Sequence, residues 1–166
     1  MRTRHDEEFE QFARAHWQQL RQAAYLLCGN WHLAEDLTQT ALIRCYPRWR
    51  TLHRRQAAYP YVRRTLIRCY IDHTRKHSSH EHMPGELPDT AKEETPAWEE
   101  REALTRALAG LTPMQRAALV LRFWYDLDVA ETARLLRRNP ATVRSDTARG
   151  LERMRILLAP EETPHS

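Results

Sequence analysis

At 166 residues the chain has room for one ordinary domain or two small ones. Four glycines and no sustained apolar/polar alternation exclude a sheet-built protein and predict an all-α fold. The net charge of +4 permits an anionic partner without requiring one, and all 26 basic side chains except Lys76 and Lys92 are arginines, a bias that suits a GC-rich genome.

The first twelve residues turn acidic and amphipathic at once, which argues against a signal peptide, and no apolar run approaches the length of a membrane span. Cys28, Cys45 and Cys69 are an odd number without close pairing, as reduced cytosolic thiols would be. These features predict a cytoplasmic protein with no membrane partner.

Phe9, Phe12, Ala13, Trp17, Leu20, Ala24 and Leu27 recur at spacings of three and four and predict a long first helix. "CGN" ends it, with Gly29 or Asn30 taking the left-handed terminal conformation. A second helix follows in "WHLAEDLTQTALIRCYPRW", with Leu33, Leu37, Ala41, Ile43 and Tyr46 as its expected core and Pro47 expected to end or kink it. "RTLHRRQAAYP" reads as a basic loop. A third helix over 61–76 carries Arg63, Arg64, Arg68, Arg75 and Lys76.

Composition then changes. Residues 77–100 hold three prolines, a glycine and seven acidic side chains with almost no aliphatic ones, too little apolar surface to bury, and predict a flexible acidic linker. The chain thus divides into helical bodies at 6–76 and 101–158. His73, His77, His80 and His82 crowd the first boundary. His73 and His77 have a metal-compatible spacing, yet His80 and His82 fall in the expected linker, and polar filling is preferred over a metal site.

The downstream body opens with a helix near 97–109. Thr112, Pro113 and Gln115 form the start signal of the next, with Leu119 and Phe123 continuing its apolar face. In "VAETARLLRRNPATVRSDTARGLERMR", Val129, Ala133 and Leu136 line one short helix. Asn139 and Pro140 start a second, whose stripe runs Val143, Thr147, Leu151, Met154 and Leu158. This is helix-turn-helix spacing, and an ordinary helical hairpin with a solvated basic face is the plainer alternative. The corner "RRN" has no glycine, so a non-glycine residue is expected to carry strain there.

Taken together, the segments "AEDLTQTALIRCYPRW", "YVRRTLIRCYIDHTRK" and "LTPMQRAALVLRFWYDLDVAETARLLRRNPATVRSDTARGLERMR" resemble, in order, the extracytoplasmic-function sigma factors of bacterial RNA polymerase, within the sigma-70 family, and especially their actinobacterial sigma-E-like group. The resemblance spans about residues 6 to 158. It implies a region 2 domain at 6–76, a linker at 77–100 and a region 4 domain at 101–158, two small helical domains in an all-α chain. It also implies promoter-specific initiation through the −35 and −10 elements, with core RNA polymerase (its clamp coiled-coil and flap) and promoter DNA as partners. An anti-sigma protein is a further candidate partner.

Residue by residue, the resemblance assigns Glu35, Asp36, Leu37 and Gln39 to the polymerase clamp. It assigns Arg54, Arg55, Tyr59, Tyr61, Arg63, Arg64 and Arg68 to the opened −10 strand, where cations meet phosphate and rings meet unstacked bases; Tyr61 could equally be a core anchor. It assigns Arg144, Ser145, Asp146, Ala148, Arg149 and Arg153 to the −35 duplex. Of these, Arg144 is placed to reach a base or a phosphate, and Arg149 and Arg153 to hold phosphate. Asp146 departs from the family's basic residue and is expected to hold a neighbouring arginine, with a cytosine contact as the alternative. The family's asparagine is replaced in "IRCY", which leaves the −10 base preference open.

A stand-alone helix-turn-helix regulator is the competing function, but it gives the upstream body no task. An enzyme finds no glycine-rich phosphate loop, nucleophile motif or paired carboxylates, and no metal or cofactor is expected.

Overall fold

The structure, a computed structural model, describes residues 1–52, 55–77 and 98–160, and among these it is helical with no strand. Most of the predicted linker (78–97), Arg54, His80 and His82 lie outside the described residues, as does the side chain of Arg55.

Helix α1 (Arg4–Cys28) starts at a capping box. The Thr3 hydroxyl accepts from the Asp6 backbone N–H, and the Asp6 carboxylate accepts from that of Thr3, which satisfies two donors a helix start leaves open. It ends at Gly29, whose φ of 74° is the left-handed value expected of "CGN". Asn30 stays extended and caps α2 (Trp31–Trp49) by accepting from Leu33 N at 3.1 Å.

The core register of α2 differs from the one expected. Ala34, Leu37, Thr38, Ala41, Leu42, Cys45 and Trp49 are buried, whereas Ile43 is 70% and Tyr46 42% exposed. The small side chains Ala34, Thr38 and Ala41 allow close approach of the neighbouring helices, and the bulkier pair is left facing out. The helix also runs past Pro47 to Trp49, since a proline within the last turn removes one hydrogen bond and little else.

The expected basic loop is shorter than predicted. A single 3₁₀ turn (Arg55–Ala57) leads into α3 (Ala58–His77), which buries Val62, Leu66, Ile67, Cys69, Tyr70 and Ile71 against α1 and α2.

In the downstream body, α4 (Trp98–Ala109) precedes α5 (Pro113–Leu119), which begins at the predicted Thr112–Gln115 capping box. From Val120 to Trp124 the backbone widens into a π-helical turn. That turn rotates the register, so Phe123 is 59% exposed instead of continuing the face of Leu119. Helix α6 (Val129–Leu136) is capped by Asp128, which accepts from Glu131 N at 2.8 Å. Helix α7 (Pro140–Leu158) is capped by Asn139, which accepts from Ala141 N at 2.9 Å. Its buried residues are Val143, Gly150 and Met154, while Leu151 and Leu158, expected in the stripe, are exposed.

The two bodies share a core. Ala117, Ala118, Val120, Leu121, Leu127 and Leu136 join the same apolar cluster as Leu20, Leu27, Leu66 and Ile67. Each fully buried aliphatic side chain there contributes about 1.5–3 kcal/mol. A smaller cluster of Ala107, Leu108, Leu111, Leu119 and Met154 binds α4 and α5 to α7 and meets Leu26 of α1.

Candidate nucleic-acid and polymerase interfaces

Three surfaces carry the residues singled out from the sequence. On α2, Asp36 and Gln39 are exposed one helical turn apart, and Ile43 extends the same line by another turn. Glu35 is tied by a 3.0 Å ion pair to Arg21, whose guanidinium lies 4.2 Å from the centre of the Trp31 ring; Trp31 in turn stacks on Tyr25 at 3.8 Å. Leu37 is 6% exposed and belongs to the core, so the expected polymerase set loses it. Its spacing from Ala34 and Ala41 puts it on the inner face, and Ile43, counted as core, is the apolar residue on the outer one.

The second surface is the outward face of α3. Arg64 is exposed, and its guanidinium lies 5.4 Å from the ring centre of Tyr61. Arg63 and Arg68 are half-buried. Burial pushes the Arg68 guanidinium down first, and the charges of Arg137 and Arg64 add to it. Tyr59 packs into the core beside His16, and its buried hydroxyl faces that of Tyr125, so it anchors the fold instead of offering a ring to a base. Leu52, Ala57, Pro60, Tyr61, Arg63, Arg64 and Arg68 form one wall of a cleft of about 600 Å³. Glu131, Arg134 and Leu135 of α6 form the other.

The third surface is the helix-turn-helix. The corner expected to carry strain does so at Arg137, with φ 53° and ψ 47°. Beyond it, Arg144, Ser145, Ala148, Arg149 and Arg153 are all exposed on α7. Asp146 is placed differently. It lines a cleft of about 390 Å³ with Thr74, Arg75, Met114 and Arg138, and its Oδ2 is buried without a hydrogen-bond partner. The expected ion pair between Asp146 and a neighbouring arginine is not seen among the described residues.

His73 and His77 stack at 4.1 Å, and burial together with the His77 charge lowers the pKa of His73. No group of three or more potential metal ligands occurs among the described residues. The cysteines are free thiols, raised in pKa chiefly by burial. No described helix is long and apolar enough to cross a membrane.

Sequence reasoning missed Arg116, Arg134 and Tyr125. Arg134 carried only the general signal of a basic helix face. Arg116 and Tyr125 owe their positions to partners 62 to 91 residues upstream, for which the local sequence holds no signal.

Residues 12–80 match the model for sigma-70 region 2, and residues 101–154 match that for sigma-70 region 4. The chain belongs to the sigma-70 family. This sigma factor is 34% identical over 149 residues to the RNA polymerase sigma-E factor of Streptomyces coelicolor, covering 89% of this chain and 84% of that one. It is 29% identical over 150 residues to the ECF RNA polymerase sigma factor SigM of Mycobacterium tuberculosis, covering 90% and 76%. Its fold is that of the sigma factor RpoE of Bartonella quintana, solved with the anti-sigma factor NepR, at a TM-score of 0.72 and 19% identity over 94% of this chain and 99% of that one. Directing promoter-specific transcription initiation is therefore its function, with region 2 and region 4 supplying the two parts.

Proposed function

We propose that this sigma factor contacts core RNA polymerase through the outer line of α2, holds the opened −10 strand on α3 and reads the −35 duplex with α7. The boundaries 6–76, 77–100 and 101–158 are our assignment of these tasks along the chain. The factor supplies recognition and no bond chemistry of its own, in the cytoplasm where its polymerase works. The flap of the polymerase is the expected seat of the downstream body, and an anti-sigma protein is a candidate regulator.

The single observation that carries this reading is the split of exposed charge between the two bodies. Asp36 and Gln39 face solvent on α2, while Arg144, Arg149 and Arg153 face solvent on α7. An acidic and amide line suits a basic protein surface, and arginines along a groove-sized helix suit a phosphate backbone with base edges between. On α3, Arg63, Arg64 and Arg68 beside Tyr61 supply cations and a ring for a displaced strand.

The test is core binding by α2 variants. Asp36→Arg and Gln39→Ala are expected to weaken binding to core polymerase at least tenfold, about 1.4 kcal/mol or more, with unchanged helix content and melting. Ile43→Asp is expected to act in the same direction, because an exposed apolar residue on the line suits a contact. Full binding by all three would remove α2 from the interface.

A further inference from the structure

The cleft of about 600 Å³ between α3 and α6 gathers positive charge that the described residues leave unbalanced. Among them, Arg63, Arg64 and Arg68 stand on one wall and Arg134 on the other, with Glu131 as the one carboxylate. None of the four guanidiniums forms an ion pair among the described residues. Arg63 is engaged by the Tyr125 ring, 5.3 Å away. Burial lowers the pKa of Arg68 first, the charges of Arg137 and Arg64 lower it further, and the opposing effect of Asp72 is smaller. Like charges held this close repel, and a polyvalent anion seated among them turns that repulsion into attraction.

The rest of the lining suits a nucleoside. Tyr61 presents a ring whose centre is 5.4 Å from the Arg64 guanidinium, so ring and cation lie within the span of one nucleotide. Bases stack on such rings whatever their identity. Leu52, Pro60 and Leu135 add apolar contact, and Glu131 can accept from ribose hydroxyls, as acidic residues do in dinucleotide sites. A terminal phosphate carries about −1.5 to −2 charges at neutral pH, so a chain of two or three phosphates matches the excess of guanidiniums. The volume falls within the range of about 300–1,000 Å³ usual for small-ligand sites. Inorganic phosphate alone would use neither the ring nor the carboxylate.

We propose that this cleft is a site for a nucleoside polyphosphate, with Arg64, Arg68 and Arg134 on its phosphates, Tyr61 against its base and Glu131 on its ribose. Because Arg134 comes from region 4 and the other cations from region 2, bound nucleotide bridges the two bodies. Whatever separates α6 from α3 must first displace it, and the arrangement it bridges gains stability by mass action. A −10 strand draws on the same cations of α3, so strand and nucleotide exclude each other; this consequence rests on the reading of α3 given above.

The test is isothermal titration calorimetry of the full-length protein with ATP in the absence of magnesium, set beside tripolyphosphate and adenosine. ATP is expected to bind, tripolyphosphate to bind at least about fivefold more weakly for want of a stacked base, and adenosine to give no measurable heat. Arg134→Ala, at an exposed position of α6, should weaken ATP binding about tenfold or more with unchanged melting. No ATP binding by the folded wild type, or tripolyphosphate binding as tight as ATP, would overturn the site. ATP binding that survives Arg134→Ala yet falls with Arg64→Ala would put the phosphates on α3 alone, overturning the bridging site and leaving the −10 reading as it stands. A holoenzyme that fails to bind −10 strand while the free protein binds ATP as expected would overturn the −10 reading and uphold the site.

Discussion

The guanidinium of Arg63 lies 5.3 Å from the ring centre of Tyr125, joining the face of α3 to the turn that precedes α6. The same guanidinium is offered to the −10 strand, and it cannot hold a ring and a phosphate in one position. Arg63→Ala is therefore expected to weaken binding of single-stranded −10 DNA by the holoenzyme and to reduce the salt slope of that binding by about one. Fluorescence anisotropy over a salt series measures both. An unchanged slope would show that Arg63 meets no phosphate.

Exposure separates the residues of α7. Arg144→Ala should cost about 1–3 kcal/mol at the preferred −35 sequence and relax specificity at one position. Arg149→Ala and Arg153→Ala should weaken binding to all sequences alike. Asp146 lines the inter-body cleft, so Asp146→Asn should leave −35 preference unchanged. Competition binding with a randomised −35 library checks all four, and a new base preference for Asp146→Asn would contradict its placement.

Gly150 of α7 lies against Leu119 of α5, where a β-carbon would stand 3.2 Å from both Cδ1 and Cγ of Leu119. Gly150→Val should overpack this contact and destabilise the protein by about 1–3 kcal/mol. That lowers the melting temperature by roughly 2–4 °C per kcal/mol in thermal denaturation.

At the N-terminus, the Tyr46 hydroxyl donates to the Asp6 carboxylate and, with the capping bonds from Thr3, holds its pKa down to about 2. A carboxylate depressed in the folded state adds stability that is fully present above its ordinary value near 3.8 and is lost as pH falls toward 2. Tyr46→Phe should raise the Asp6 midpoint toward that ordinary value, as carbon-detected NMR titration would show. An unmoved midpoint would mean that the Thr3 bonds alone suffice.

Local chemistry made the helix boundaries legible. Gly29, Asn30, Thr112 with Gln115, Asn139 with Pro140 and the strained corner at Arg137 all stand as their residue types predict, because caps and turns depend on near neighbours. Registers were harder. Ile43 and Tyr46 look like core by bulk, yet small residues made the close helix contacts of α2. Phe123 was displaced by a π turn that periodicity assumes away. On the surfaces, the exposed residues of α7 followed from their helix face, whereas the inward turn of Asp146 and the burial of Arg116 depend on packing between the two bodies.

The most direct measurement is in vitro transcription on pooled genomic fragments with a sigma-free bacterial core polymerase, with and without this protein, followed by sequencing of the 5′ ends. The account predicts discrete new start sites that share one motif near −35 and another near −10, and their loss with Asp36→Arg. A folded, core-bound protein that yields no new start sites would contradict it.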